Sequence, residues 1–114
     1  MYCSWAGVAA RVEDIMITSD MFYILKGRTP VRVPPEQYAQ WLGERRVALT
    51  VCTDVKVSTM FLGVDIGEEG KPLLFETALL YRAGEVEVVA RYATWEEAEI
   101  GHATCVKRLQ TCLQ

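Results

Sequence analysis

Residues 57–81 decide the fold of this chain, and they read VSTMFLGVDIGEEGKPLLFETALLY. Two apolar runs of strand length flank a turn segment, GEEGKP, which contains two glycines and a proline. Runs of β-branched, aromatic and aliphatic residues bounded by glycine and proline are typical of strands joined by a turn. The stretch therefore predicts an antiparallel hairpin in the middle of the chain.

The segments on either side extend this hairpin into a larger sheet. RRVALTVCT at 45–53 and EVEVVARYA at 85–93 are each rich in valine and alternate with polar residues, which predicts one strand in each. Together with the central hairpin they form a meander of four antiparallel strands. Further upstream, MFYILKGRTPVRV at 21–33 predicts another hairpin that turns at Gly-Arg-Thr-Pro.

Two helices complete the pattern. Proline is tolerated in the first turn of a helix, so the Pro-Pro step predicts that a short helix, PEQYAQWL at 35–42, begins there. Thr94 and Glu97 form a capping box, which predicts the start of a longer helix. Its apolar positions recur at helical spacing and predict that it packs on the sheet. These positions are Ala98, His102, Cys105, Val106, Leu109 and Leu113.

The resulting fold class is α+β: an antiparallel sheet of about six strands in the order β-β-α-β-β-β-β-α, with one short helix and one longer C-terminal helix. At 114 residues the chain is long enough for one domain with a real core. Residues 21–114 are predicted to form that domain. Residues 1–20 do not share its pattern and are predicted to be an N-terminal extension, either frayed or packed late.

Composition excludes several classes of function. The formal net charge is −3 and no run of Lys and Arg exceeds two residues, so a nucleic-acid-binding role is not expected. No apolar run approaches the roughly 20 residues of a membrane span. The N-terminus lacks the basic and apolar regions of a signal peptide, so we expect a cytoplasmic protein whose four cysteines are reduced thiols.

His102 is the only histidine, so any histidine-based catalysis must use it. It lies on the apolar face of the last helix, where a buried imidazole bonded to a backbone carbonyl or a strand residue is the favoured interpretation. The alternatives are a general base or a metal pair with Cys105, but a zinc site needs further ligands at recognisable spacing. GEEG matches no phosphate-binding loop. We therefore predict no catalytic residue, no metal and no cofactor.

Polar residues near the strand ends are the other candidates for a site. Asp65 and Glu76 flank the glycine-rich turn, where paired carboxylates can divide acid and base chemistry, although acids beside a turn are commonly just solvated. Arginines and aromatic rings near a helix N-terminus suit a planar anion such as a nucleotide. The alternative is that the rings fasten the helix to the sheet. The candidate ligand-binding residues are Thr59, Asp65, Glu76, Arg82, Arg91, Tyr92, Trp95 and His102.

Apolar residues occupy both faces of the two central strands. An antiparallel sheet with one solvated face should alternate between apolar and polar residues, and two short helices cannot cover both faces. We therefore expect the chain to form a homo-oligomer through the excess apolar surface.

Three segments, VSTMFLGVD, PLLFETALLY and RYATWEEAEIGH, occur in this order. They closely resemble the pattern VSTVFLGxDH…PLLFET…RYxTWxEAxxGH of a family of small proteins encoded by phages and prophages. YILKGRTPV and EQYAQWLGERRVA fit the same family, so the resemblance covers about residues 22–110. The chain departs from the pattern at Ile66, where the family has a histidine.

The family has no established activity, so the resemblance implies a context: a phage accessory protein that counters bacterial antiviral defence in the host cytoplasm. The leading hypothesis is a non-enzymatic binding protein that sequesters a nucleotide-derived immune signal. A second hypothesis is a direct protein–protein inhibitor of a host defence complex, as anti-CRISPR proteins are, or a phage assembly factor. The third is a small hydrolase that uses His102 with Asp65 or Glu76.

Overall fold

A computed structural model describes residues 21–65 and 70–112 of the chain. The element order confirms the predicted α+β class and the order β-β-α-β-β-β-β-α. The predicted N-terminal extension, residues 1–20, lies outside the described residues. The elements are β1 (Tyr23–Lys26), β2 (Thr29–Arg32), α1 (Pro35–Gln40), β3 (Arg46–Val51), β4 (Val55–Phe61), β5 (Phe75–Tyr81), β6 (Val86–Tyr92) and α2 (Trp95–Cys112).

The six strands are divided between two sheets. β1 and β2 form a two-stranded sheet, and the other four strands form the predicted meander in the order β3-β4-β5-β6. The small sheet lies against the end of β4, because the Tyr23 N–H donates to the carbonyl oxygen of Gly63 at 2.7 Å and Phe22 forms a bridge with Val64. Gly63 adopts φ of 79°, a conformation that favours glycine.

The turn between β1 and β2 is shorter than the sequence predicts. Lys26 pairs with Thr29, so the loop contains only Gly27 and Arg28, and Thr29 and Pro30 belong to β2. Proline is tolerated there because β2 lies at the edge of a two-stranded sheet.

Helix α2 lies across all four strands of the meander and covers one side, here called the helix face. Its predicted capping box is confirmed. The Glu97 N–H donates to Thr94 Oγ1 at 3.1 Å, and the Thr94 N–H donates to Glu97 Oε1 at 3.2 Å. These bonds satisfy backbone donors that the first turn of a helix leaves unpaired.

The main core lies between α2, the β1–β2 sheet and the helix face. Phe61 and Phe75 are at most 1% exposed, and their ring centroids lie 5.3 Å apart. Trp95 packs edge-on against Phe75 at 6.2 Å, and Trp41 packs edge-on against Phe61 at 5.7 Å. Each fully buried aromatic side chain contributes roughly 1.5–3 kcal/mol. A smaller cluster at the other end of the sheet contains Val55, Val57 and Leu79, with Val106 and Leu109 of α2.

The opposite side of the sheet, here called the second face, is only partly covered. Strand register and alternation place twelve residues on it: Arg46, Leu49, Val51, Lys56, Ser58, Met60, Glu76, Ala78, Leu80, Val86, Val88 and Arg91. Leu49 and Met60 are each 39% exposed and Val51 is 67% exposed. Single exposed apolar residues are ordinary, but these three belong to the neighbouring strands β3 and β4. They form an apolar surface on one half of the second face.

Candidate functional site

Five polar side chains form a buried hydrogen-bonded chain between α2 and the helix face, here called the polar network. His102 Nε2 lies 2.9 Å from Thr50 Oγ1, and His102 Nδ1 lies 2.8 Å from Thr59 Oγ1. Thr59 Oγ1 in turn lies 2.5 Å from Thr77 Oγ1, directly across the β4–β5 pair. The Tyr92 hydroxyl donates to Thr77 Oγ1 at 3.1 Å and ends the chain.

One arrangement of protons satisfies every link of the polar network. Tyr92 donates to Thr77, Thr77 donates to Thr59, and Thr59 donates to Nδ1 of His102. Nε2–H of His102 then donates to Thr50. Each threonine between Tyr92 and His102 thus accepts one bond and donates one, which strengthens the chain cooperatively. The imidazole is neutral in this arrangement, consistent with burial, which lowers the pKa of His102.

The polar network is closed to a substrate. His102 is 6% exposed, Thr59 and Thr77 are fully buried, and both ring nitrogens are hydrogen-bonded within the fold. A general base must come within hydrogen-bonding distance of the proton that it removes, and His102 reaches only Thr50 and Thr59. The predicted buried imidazole bonded to a strand residue is confirmed. His102 holds α2 in place against β3 and β4.

Gly101 allows the network to close. A Cβ atom at this position would overlap the hydroxyl and ring of Tyr92, so only glycine lets the tyrosine pass beneath α2. Neither the bond between Thr50 and His102 nor the extension of the network through Thr77 was predicted from the sequence. The available signal was a threonine on each of β3, β4 and β5, facing the side on which α2 packs.

A buried ion pair lies on the second face. Glu76 and Arg91 are opposite each other across β5 and β6, and Arg91 Nε donates to Glu76 Oε2 at 3.1 Å. The side chains are 2% and 23% exposed, respectively. Burial raises the pKa of Glu76, and the hydrogen bond and charge of Arg91 oppose this rise. Arg91 Nη2 is also buried, but it has no hydrogen-bond partner.

A groove of about 370 Å³ runs over the same face and is lined by Arg45, Ser58, Met60, Phe61, Leu62, Glu76, Ala78 and Leu80. Its volume lies within the range of small-molecule sites, roughly 300–1,000 Å³. Most of the lining is aliphatic or aromatic, with Arg45 and Glu76 as its charged groups.

Arg45 is held rigidly at the β3 end of the groove. Its guanidinium lies 4.9 Å from the ring centroid of Trp41 and 5.2 Å from that of Tyr38. Arg45 Nη1 donates to the carbonyl oxygen of Leu62 at 3.1 Å. A guanidinium stacked on aromatic rings loses little entropy on binding an anion. Arg45 was not among the predicted site residues, although the aromatic residues just before it in the chain were a usable signal.

The structure separates the remaining predicted site residues. Asp65 lies beyond β4, where its N–H donates to the carbonyl oxygen of Met21 at 2.9 Å, whereas Glu76 pairs with Arg91. Arg82 follows β5 at the opposite end of the sheet, with an 83% exposed side chain 3.9 Å from Asp54.

The group expected at the start of α2 is not brought together either. Arg91 faces the groove side of the sheet, while Tyr92 belongs to the polar network. Trp95 packs on Phe75, and the Arg28 guanidinium lies 5.2 Å from its ring centroid. Tyr92 and Trp95 therefore fasten α2 to the sheet, which was the alternative interpretation.

Within the described ranges, no three His, Cys, Asp or Glu side chains lie close enough together to hold a metal ion. None of the helices in the described part of the chain is long and apolar enough to cross a membrane. Comparisons with protein-family models, curated proteins and solved structures found no match to this chain.

Proposed function

We propose that this protein is a non-enzymatic phage accessory protein that sequesters a nucleotide-derived signal of bacterial antiviral defence. The observation that supports this proposal best is the groove on the second face. It offers an apolar floor for a planar base and a rigid arginine, Arg45, for a phosphate. Sequestration requires only binding, so a groove with few reactive groups is sufficient.

The polar network supports a binding role over a hydrolytic one. The hydrolase hypothesis needs His102 as a base beside Asp65 or Glu76. His102 is enclosed by Thr50 and Thr59 on the helix face, whereas Glu76 lies on the second face. The sheet therefore separates the two groups that such a reaction would combine.

The resemblance to phage and prophage proteins supports the biological context. The context that it implies is the cytoplasm of an infected bacterium, where nucleotide signals of immunity are made.

Isothermal titration calorimetry against a panel of cyclic nucleotides and ADP-ribose-type molecules tests the proposal. We expect at least one member to bind, and Arg45→Gln to weaken that binding about tenfold, because a charged hydrogen bond to phosphate is lost. Arg82→Gln is the matched control, since Arg82 is an exposed arginine at the other end of the sheet. Absence of binding across the whole panel would contradict the proposal.

The second face also supports self-association. Leu49, Val51 and Met60 expose apolar surface beside the groove, and a second copy placed over them would enclose a bound ligand. Light scattering should then give a mass above that of one chain, and Val51→Lys should reduce it to the monomer. A monomeric mass for the unaltered protein would contradict this part of the proposal.

The second candidate function is a direct inhibitor of a host defence complex or a phage assembly factor. It is favoured by the exposure of Leu49 and Val51 on β3, which is an edge strand of the meander. Affinity purification from infected cells distinguishes the two functions. An inhibitor retains a host or phage protein that Val51→Lys releases, whereas a nucleotide-binding protein retains none.

A further inference from the structure

We infer that two copies of this chain join through the outer edges of β3, so that their four-stranded sheets form one continuous antiparallel sheet. The β3 strands of the two copies run in opposite directions, and Thr50 of one copy lies opposite Thr50 of the other. This inference rests on the self-association proposed above, but not on nucleotide binding. It assigns the contact to the edge of β3 instead of the open part of the second face.

The outer edge of β3 is open among the described residues. β3 pairs only with β4, and none of its residues is buried. A register shift lies at its start, between Arg46 and Ala48, but from Val47 to Cys52 it contains neither a charged residue nor a proline. Edge strands are commonly protected against pairing by charges, prolines or bulges. Most of β3 therefore lacks this protection.

The other edge of the same sheet, β6, is protected. A register shift between Thr77 and Ala78 interrupts its pairing with β5 in the middle of the strand. Glu87 and Arg91 also place charges along it. A bulge bends and twists an edge strand, which hinders its pairing with a regular strand. Pairing between copies is therefore expected at β3 and not at β6.

The direction of the hydrogen bonds in β3 determines which residues can pair with a second copy. The Cys52 N–H donates to the carbonyl oxygen of Val55 at 2.8 Å, so the backbone of Cys52 points toward β4. These directions alternate along an antiparallel strand, so Leu49 and Val51 point their N–H and C=O groups to the open edge. Leu49 of each copy opposite Val51 of the other uses all of these groups. The two-fold axis then passes between the two Thr50 residues.

The side chains are self-complementary in this register. Leu49 and Val51, which are 39% and 67% exposed, meet on the second face and bury apolar surface of each other. The exposed Arg46 of each copy comes near Asp54 of the other, whose side chain is 75% exposed. Opposite charges at both ends of the paired segment favour two identical antiparallel strands over an unrelated strand. The partner that fits this edge best is therefore a second copy.

Light scattering on proline variants tests the inference. We expect the unaltered protein to have twice the mass of one chain, and Val51→Pro to have the mass of one chain. Proline removes the Val51 N–H, which points to the second copy and not to β4, and an edge strand tolerates proline at such a position.

Val86→Pro is the matched control on the other edge. The Glu85 carbonyl oxygen accepts from the Tyr81 N–H at 2.9 Å, so the backbone of Val86, the next residue, points to the open side of β6. The Val86→Pro variant should keep the mass of the unaltered protein, because β6 does not take part in the contact.

Oxidative cross-linking tests the register. Ala48 lies opposite Cys52 of the second copy in this register, at a Cα separation that a disulfide can span. Ala48→Cys treated with diamide, which takes up the electrons and protons of the two thiols, should therefore give a disulfide-linked dimer. Ala48→Cys combined with Cys52→Ser should not give this dimer, and neither should Ala90→Cys on β6, the matched control.

A dimer that survives Val51→Pro, or one that forms no disulfide between Ala48→Cys and Cys52, would overturn the inference and assign the contact to another surface. A monomeric unaltered protein would also overturn it, whether another segment of the chain or another protein occupies the edge. If Val51→Pro does not fold, the cross-linking of Ala48→Cys decides the question. Calorimetry against the signal panel tests the proposed nucleotide binding separately, because none of these results depends on a nucleotide.

Discussion

The two faces of the four-stranded sheet bury their polar groups in opposite ways. On the helix face, the polar network is neutral, and every link from Tyr92 to Thr50 has a donor and an acceptor. On the second face, Glu76 and Arg91 are charged, and one donor has no partner. A fully hydrogen-bonded network stabilises and orients the fold, whereas a buried donor without an acceptor, such as Arg91 Nη2, destabilises it. The two faces thus differ in the charge of their buried polar groups; among the described residues, Trp95 Nε1 in the main core is a second buried donor without a partner.

Strand β4 contains this contrast in consecutive residues, because alternate side chains point to opposite faces. Its odd-numbered positions from Val55 to Phe61 are buried, whereas Lys56 and Met60 are exposed. Neighbouring residues of one strand therefore provide matched substitutions for the two faces.

The largest difference in stability is expected between substitutions at Phe61 and at Met60. Phe61→Ala removes a ring that packs against Phe75 and Trp41, and should lower the free energy of unfolding by about 3–5 kcal/mol. Met60→Ala should lower it by less than about 1 kcal/mol, because that side chain is 39% exposed. Urea denaturation measures both. Equal losses would show that the second face is as fully buried in solution as the helix face.

A smaller difference in stability is expected between substitutions at Thr59 and at Ser58. Thr59→Val keeps the side-chain volume but removes the hydroxyl that links His102 to Thr77, and should cost about 1–3 kcal/mol. Ser58→Ala on the second face should change stability by no more than about 0.5 kcal/mol. Denaturation midpoints compared at a fixed pH test this pair. If Thr59→Val left the free energy of unfolding unchanged, the polar network would contribute nothing to the stability of the fold.

The smallest effect is the pH dependence that His102 introduces. Its pKa is lowered by burial, so below about pH 6.5 the unfolded chain binds more protons at this residue than the folded protein does. The contribution of neutral His102 to the free energy of unfolding is therefore fully present above that pH. It is lost as the pH falls from there toward the lowered pKa. His102→Gln should flatten the stability profile between about pH 7 and pH 5.

Glu76 acts in the opposite sense over a different range. Because its pKa is raised in the folded state, the folded protein binds a proton at Glu76 more tightly than the unfolded chain does. The resulting contribution to the free energy of unfolding is lost as the pH rises above about 4.5 and through the raised pKa. The His102→Gln comparison isolates the histidine, because Glu76 is present in both proteins. If the free energy of unfolding of His102→Gln depended on pH as steeply as that of the unaltered protein, the assignment of a neutral, buried imidazole would be contradicted.

The residues that carry the family resemblance have identifiable structural roles. Thr59, Tyr92 and His102 belong to the polar network, and Gly101 accommodates the tyrosine beneath α2. Thr94 caps α2, as its position before an acidic first turn predicts. The motifs are thus explained mainly by the packing of α2 on the sheet. Glu76 and Arg91 are the members of the motifs that stability explains least well.

Much of the fold could be predicted because its signals are local. Glycine and proline mark the turns, the capping box marks the start of α2, and apolar periodicity marks the strands and helices. The site was predicted less completely. Arg91, Tyr92 and Trp95 were expected to act together because they are close in sequence, but strand alternation sends Arg91 and Tyr92 to opposite faces.

The sequence by itself determined the elements, their order and the buried position of His102, because each of these depends on residues within a few positions of one another. Only the tertiary structure decided which polar groups meet. Glu76 faces Arg91, and Thr59 faces Thr77, through strand register, and a shift of one residue would move each side chain to the other face. Register and the side on which α2 packs are set by contacts between distant parts of the chain. Those contacts therefore separate the polar network from the Glu76–Arg91 ion pair.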